Sequence, residues 1–275
     1  GVPATGDAAN GKNLSATQTG RGDEPAMAAV SNKDMVIVVA GPVVYGYNKF
    51  SGSQLLEFRL PRQPTAAPVM GRGVFFVPVT GGALYAYETA TLEHKYRFGT
   101  LPPDIAIPHA WRFICNEPIR QPPVLGLEVV AFATESGSLH VINTSGSQRG
   151  TSRYQMFLKG EASAPLAIVD NSRSSSVIVV TETNRVFSVE MMDLDKIEDR
   201  EPAQKVEWSY PLGRPMRKSP IVVGDDLFVV AVDGSLTQFS RDDADTFWGR
   251  PVEIPQYHAP GLIGAGMVDA EVEPP

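Results

Sequence analysis

One pattern constrains this chain more than any other. A short apolar run, a tight turn, a second run with aromatic residues and then a third apolar or aromatic segment follow one another, and the set recurs along the chain. The runs are "MVIVVA" (35–40), "VFFVPV" (74–79), "VVAFAT" (129–134), "VIVVT" (177–181) and "LFVVAV" (227–232). They are too short for most helices and rich in Val, Ile and Phe, so they read as strands buried on both faces. Turn chemistry follows each one: Gly41-Pro42, Gly81-Gly82, Ser136-Gly137, Thr183-Asn184 and Asp233-Gly234. Gly and Asn accept the positive φ that tight hairpins need. Second strands follow as "VVYGY", "ALYAY", "LHVIN", "VFSVE" and "LTQFS". The third segments are assigned as "LLEFRL", "KYRF", "YQMFL", "VEWSY" and "TFWG".

The first two copies align without a gap. Val39 falls on Val79, Gly41 on Gly81, Tyr45 on Tyr85, Tyr47 on Tyr87 and Phe58 on Phe98. Later copies stretch through loop insertions. A Pro with a small or Pro neighbour precedes most of the strong strands: Ala67-Pro68, Pro122-Pro123, Ala164-Pro165 and Ser219-Pro220. A repeated unit of three or four antiparallel strands, apolar on both faces, predicts an all-β fold of the β-propeller type, whose blades pack face to face. Five units are recognisable, at 27–60, 65–99, 120–158, 162–211 and 218–253, and "APGLIGAG" (259–266) begins a partial sixth. Residues 1–26, rich in small and polar types, read as a tail, 27–270 as one domain and 271–275 as a second tail.

The unit in "APVMGRGVFFVPVTGGALYAYETATLEHKYRF" (67–98) and "SPIVVGDDLFVVAVDGSLTQFS" (219–240) resembles the PQQ-like, or quinoprotein-type, propeller repeat. Leu84-Tyr85-Ala86 matches the middle of that repeat, Ser51-Gly52 its late turn and Trp208 its closing tryptophan; Tyr96 and Leu56 take the tryptophan's place in other units. The resemblance implies one of two functions. One is a quinoprotein dehydrogenase holding PQQ and calcium. The other is a non-catalytic scaffold like the propeller subunit of the barrel-assembly machinery, which implies a periplasmic or cell-surface protein with its leader removed.

The residues favour the second. Cys115 is the only cysteine, so the adjacent-cysteine disulfide that the dehydrogenases place against PQQ cannot form. "RDDAD" (241–245) lacks the Gly of a calcium loop, and "DNSRSSS" (170–176) reads as a hairpin turn. Neither PQQ nor calcium is therefore expected. His94, His109, His140 and His258 have no metal spacing, and His140 reads as an aromatic-sized filler in a strand. There is no G-x-S-x-G elbow, and "GLIGAG" lacks the order of a dinucleotide loop. The net charge of −7 argues against nucleic acid as a partner, and no apolar run reaches membrane-spanning length. The partner expected is another protein. A small ligand or carbohydrate stacked on Trp111 is the alternative.

Candidate binding residues come from the proline-rich insertion "TLPPDIAIPHAWRFICNEPIRQPP" (100–123) and the link "LGRPMRKSP" (212–220). They are His109, Trp111, Arg112, Phe113, Arg120, Arg214 and Arg217. Trp and Arg are enriched at binding hot spots, and long loops often carry function. Trp111 is singled out because it does not recur with the repeat. The competing reading packs Trp111 and Phe113 onto their own blade. The charged insertion 191–205 reads as a solvated loop or short helix.

Overall fold

The structure, a computed structural model, describes residues 28–92, 109–170, 173–194, 205–224, 226–240 and 252–254. The two terminal tails, Tyr96-Arg97-Phe98, the start of the proline-rich insertion, most of the charged insertion, 241–245 and the partial sixth unit lie outside the described residues.

Among the described residues twenty strands form five sheets of four, each a simple antiparallel meander. The first sheet holds β1 (Ala28–Ser31), β2 (Met35–Ala40), β3 (Val43–Asn48) and β4 (Gln54–Arg59). The second holds β5 (Val69–Gly71), β6 (Val74–Val79), β7 (Ala83–Glu88) and β8 (Trp111–Ile114). The third runs β9 (Val124–Leu125), β10 (Val129–Ala133), β11 (Ser138–Asn143) and β12 (Ser152–Phe157). The fourth has β13 (Ala167–Asp170), β14 (Ser174–Val180), β15 (Arg185–Asp193) and β16 (Val206–Pro211). The fifth has β17 (Ile221–Val223), β18 (Asp226–Val230), β19 (Leu236–Ser240) and β20 (Val252–Ile254). The first strands of successive sheets touch in order, β1 to β5, β5 to β9, β9 to β13 and β13 to β17, as blades do around a propeller axis. The prolines ahead of the repeats introduce these inner strands. An inner strand pairs on one side only, so a missing N–H costs little there.

The core lies between sheets. Ile37, Val39 and Phe58 of the first blade meet Phe75, Val77 and Tyr87 of the second. The other face of the second blade, with Phe76, Leu84 and Ala86, meets Val130, Phe132 and Ile142 of the third. The third meets the fourth through Val141 and Leu139 against Val177 and Val189, and the fourth meets the fifth through Ile178 and Val180 against Leu227 and Val229. A strand in a middle blade therefore needs apolar residues at every position, which is why these strands do not alternate.

Size matching runs across each sheet. On the fourth strand a large side chain faces a small one on the third: Leu56 opposite Gly46, Trp111 opposite Ala86, and Trp208 opposite Ser188. In the third blade Tyr154 faces Val141. A Cβ at Gly46 would lie 2.5 Å from Leu56 Cγ. The ladder is irregular just beyond this pair in three blades, at Gly46/Tyr47, Val141/Ile142 and Ser188/Val189. A bulge repeated at one position is a feature of the unit, and it bends the outer strand.

Three sequence expectations are corrected here. The fourth strand of the fifth blade is Val252–Ile254, past the segment "TFWG" that the sequence assigns to it, which lies outside the described residues. The fourth strand of the second blade is Trp111–Ile114, drawn from the insertion, and not Tyr96-Arg97-Phe98, the segment that matches this place in the gapless repeat. Trp111 consequently does recur with the repeat, at the register of Leu56, Tyr154 and Trp208, and it is Trp111 that takes the tryptophan position assigned to Tyr96. Gapless alignment failed because an insertion between the third and fourth strands leaves the sheet unchanged while moving its last strand along the chain.

His140 shows what burial between blades does to a polar ring. It is 4% exposed, lies parallel to Phe132 at 5.1 Å and contacts Phe113 at 5.7 Å. Neither ring nitrogen has a hydrogen-bond partner. Burial lowers its pKa from the ordinary 6.5, and the Glu117 carboxylate opposes that only in part. The unfolded chain thus binds a proton near pH 6.5 that the folded chain refuses, so stability is full above that value and falls as the pH drops through it. Urea unfolding at pH 7.5 and 5.5 should show a loss in wild type that His140→Phe largely removes. Equal losses in both proteins would contradict this account.

Candidate functional site

The links between blades cross one face of the molecule, and each clamps onto the hairpin turn of the blade it leads into. The clamp is a backbone hydrogen bond repeated four times: Thr80 N–H to Gln63 O, Glu135 to Pro118, Glu182 to Glu161 and Val232 to Pro215, at 2.8–2.9 Å. Glycines in the turn of the preceding blade make room for the link as it leaves. A Cβ at Gly82 would meet Glu117 N at 2.4 Å, and one at Gly137 would meet Gly160 O at 2.4 Å. Both also have positive φ, 65° and 86°. These turns therefore require glycine for two reasons, and only the backbone reason is visible locally in sequence.

Side chains reinforce three of the four clamps. Arg62 donates to Thr80 O at 3.2 Å. Arg120 pairs with Glu135 at 3.4 Å and Arg214 with Asp233 at 3.2 Å. Glu117 also accepts from the hydroxyls of Thr134 and Ser136, which hold its carboxyl below the usual range.

The link from the third blade to the fourth is different. It reads Leu158-Lys159-Gly160-Glu161, and no arginine ties it to the turn ahead. Burial pushes the Glu161 carboxyl up, and the like charges of Glu182 and Glu135 push it further. Beside this link the outer rims of the two blades leave a groove of about 590 Å³. Its floor is Met156, Leu158, Phe187 and Val206, and Phe157 stands at its edge with 62% of its surface exposed. Two cations border it. The Arg185 guanidinium sits 5.9 Å above the Phe187 ring and donates to Ser209 Oγ at 3.0 Å. Lys159 is fixed on a left-handed backbone with φ 56°. Among the described residues neither has a carboxylate partner, and none of those that line the groove is acidic. An apolar floor with unpaired cations suits a protein segment that carries apolar and acidic side chains.

The structure divides the residues expected from sequence into two groups. Arg120, Arg214 and Arg217 share the face of the links, the first two already engaged in ion pairs and Arg217 exposed. His109, Trp111, Arg112 and Phe113 belong to the outer strand of the second blade or its approach. His109 stacks on Tyr85 at 4.8 Å, and burial, then Arg112, lowers its pKa. Trp111 packs against Phe76 at 5.6 Å, and Phe113 against Phe132 at 6.1 Å, both within the interface between the second and third blades. Arg112 points to the opposite face of the strand and is exposed. Sequence reasoning missed Phe157, Lys159, Arg185 and Phe187. The signal was there in "YQMFLKG", where three successive apolar residues break the alternation of an outer strand and leave one exposed. Among the described residues no group of three His, Cys, Asp or Glu side chains can hold a metal ion.

Five meandering four-stranded sheets with inner strands in sequence define a β-propeller of quinoprotein-like repeats. The family described as outer membrane protein assembly factor BamB matches residues 3–204 and 200–262, and the chain belongs to that family. Among solved structures it is similar to BamB from Moraxella catarrhalis, at 16% identity and a TM-score of 0.57, over 79% of this chain and 58% of that one. This chain thus spans 58% of that protein's length. It also resembles BBS1N, solved in complex with ARL6DN (13% identity, TM-score 0.53, 80% of this chain and 66% of that one). Hsv2 of Kluyveromyces lactis matches with 13% identity and a TM-score of 0.52, over 82% of this chain and 73% of that one. These three likenesses are of fold. No curated protein matches by sequence.

The two candidate regions respond differently to truncation. Trp111→Ala should cost about 3 kcal/mol, because it empties a packed position between blades. Phe157→Ala should stay within about 0.5 kcal/mol, as for exposed side chains away from special features. Urea denaturation of both variants measures this; a stable Trp111→Ala protein would return Trp111 to the list of binding residues.

Proposed function

We propose that this chain is a non-catalytic scaffold that docks a protein partner in outer-membrane protein assembly, outside the cytoplasm. The observation that carries the reading is the groove between the third and fourth blades. Arg62, Arg120 and Arg214 on the same face are spent on the protein's own turns. Lys159 and Arg185 are left unpaired among the described residues, beside an exposed phenylalanine. Exposed aromatic and arginine side chains together are the usual anchors of a protein interface. Family membership supports the same reading. The partner segment is apolar with acidic residues that answer the two cations.

A photoreactive phenylalanine analogue at position 157, in cells that carry the assembly machinery, tests this. The expected product is a crosslink to a component of that machinery, lost on Arg185→Glu. Crosslinks from the exposed turn residue Phe50 but none from position 157 would move the docking site off the groove.

A further inference from the structure

A second cavity lies at the opposite end of the blades, against their inner strands. It measures about 510 Å³, within the range of small-molecule sites, and its lining is mostly apolar. Val69, Phe76, Leu125 and Ile168 from the second, third and fourth blades form its floor. The inner strands here touch each other in order, so the cavity is framed by three blades rather than by one mobile loop.

Two charged side chains reach it, and they are not equivalent. The Asp170 carboxylate accepts a hydrogen bond from Ser175 Oγ, which in turn accepts from Leu127 N–H at 2.5 Å; Asp170 is thus engaged with the protein's own hairpin. Arg72 lies on the two-residue turn between β5 and β6, with φ 50° at Arg72 and 74° at Gly73. Its guanidinium has no hydrogen bond or ion pair among the described residues. A turn with both central residues at positive φ favours Asn-Gly or Gly-Gly. An arginine there is disfavoured locally, and it places a free cation at the mouth of an apolar cavity.

We propose that this cavity binds a small aliphatic carboxylate, with the chain on the floor of Val69, Phe76, Leu125 and Ile168 and the carboxylate on Arg72. The site is separate from the docking groove, which lies on the other face and at the outer rim. A guanidinium and a carboxylate make a charge-assisted, two-pronged hydrogen bond, and the apolar chain supplies the remaining affinity through burial.

The test is calorimetric titration of the whole chain with octanoate, octanol and octyltrimethylammonium. Octanoate should bind about tenfold more tightly than octanol, equivalent to about 1.4 kcal/mol, and octyltrimethylammonium more weakly than either. Arg72→Asn keeps the turn, since asparagine is better suited to that backbone, so its melting temperature should not fall. In that variant octanoate and octanol should bind within about twofold of each other. Ile168→Phe, which fills the floor, should remove binding of both. Equal binding of octanoate and octanol to the wild type overturns the proposal, as does no binding at all. Octanoate affinity that survives both substitutions overturns it too, by placing the ligand elsewhere.

Discussion

Every blade of this propeller is held by its neighbours rather than by itself. A four-stranded sheet has two faces, and here both faces of each middle sheet are apolar and covered by the next sheet along. The interface between the first two blades, built on Ile37, Phe58, Phe75 and Tyr87, has no counterpart inside either sheet. Stability is then a sum over interfaces, as in other repeat architectures. The buried polar side chains follow from the same geometry. Lys205 and Glu190 meet at 3.2 Å with both side chains nearly inaccessible, because each lies where two sheets close over it.

The links between blades convert that packing into a surface. Each must cross from an outer strand to the next inner strand, and each is anchored on the way by one backbone hydrogen bond to the coming turn. Once the backbone is fixed, the side chains of the link are available for a second task. Three links use an arginine to reinforce the clamp. The fourth, with Lys159, leaves its cation without a carboxylate partner among the described residues, and the neighbouring rim opens a groove there. Variation within a constant scaffold is how a repeat protein acquires one distinctive site.

Much of the fold was legible in the chain. Runs such as "VFFVPV" and "VVAFAT" carry no alternation, and strands without alternation must be covered twice. Turn glycines at 41, 82, 137 and 234 marked the hairpins through their positive φ. Two things were hidden. The outer strand of the second blade lies past an insertion, and nothing local in "WRFI" distinguishes it from "KYRF". The groove residues were hidden because a pocket between blades is built from segments about thirty residues apart, Phe157 and Phe187 among them.

The repeat, the strand type and the hairpin turns can be read along the chain. These are local matters of side-chain volume and backbone conformation. Contacts between blades make Trp111 and Phe113 packing residues of an interface and pair Arg120 and Arg214 with carboxylates. They alone set Lys159, Arg185 and Phe157 around one groove and leave Arg72 over a second cavity. The reason is that burial and pairing belong to neighbouring blades, and a linear chain does not state which face of one blade meets which link of the next.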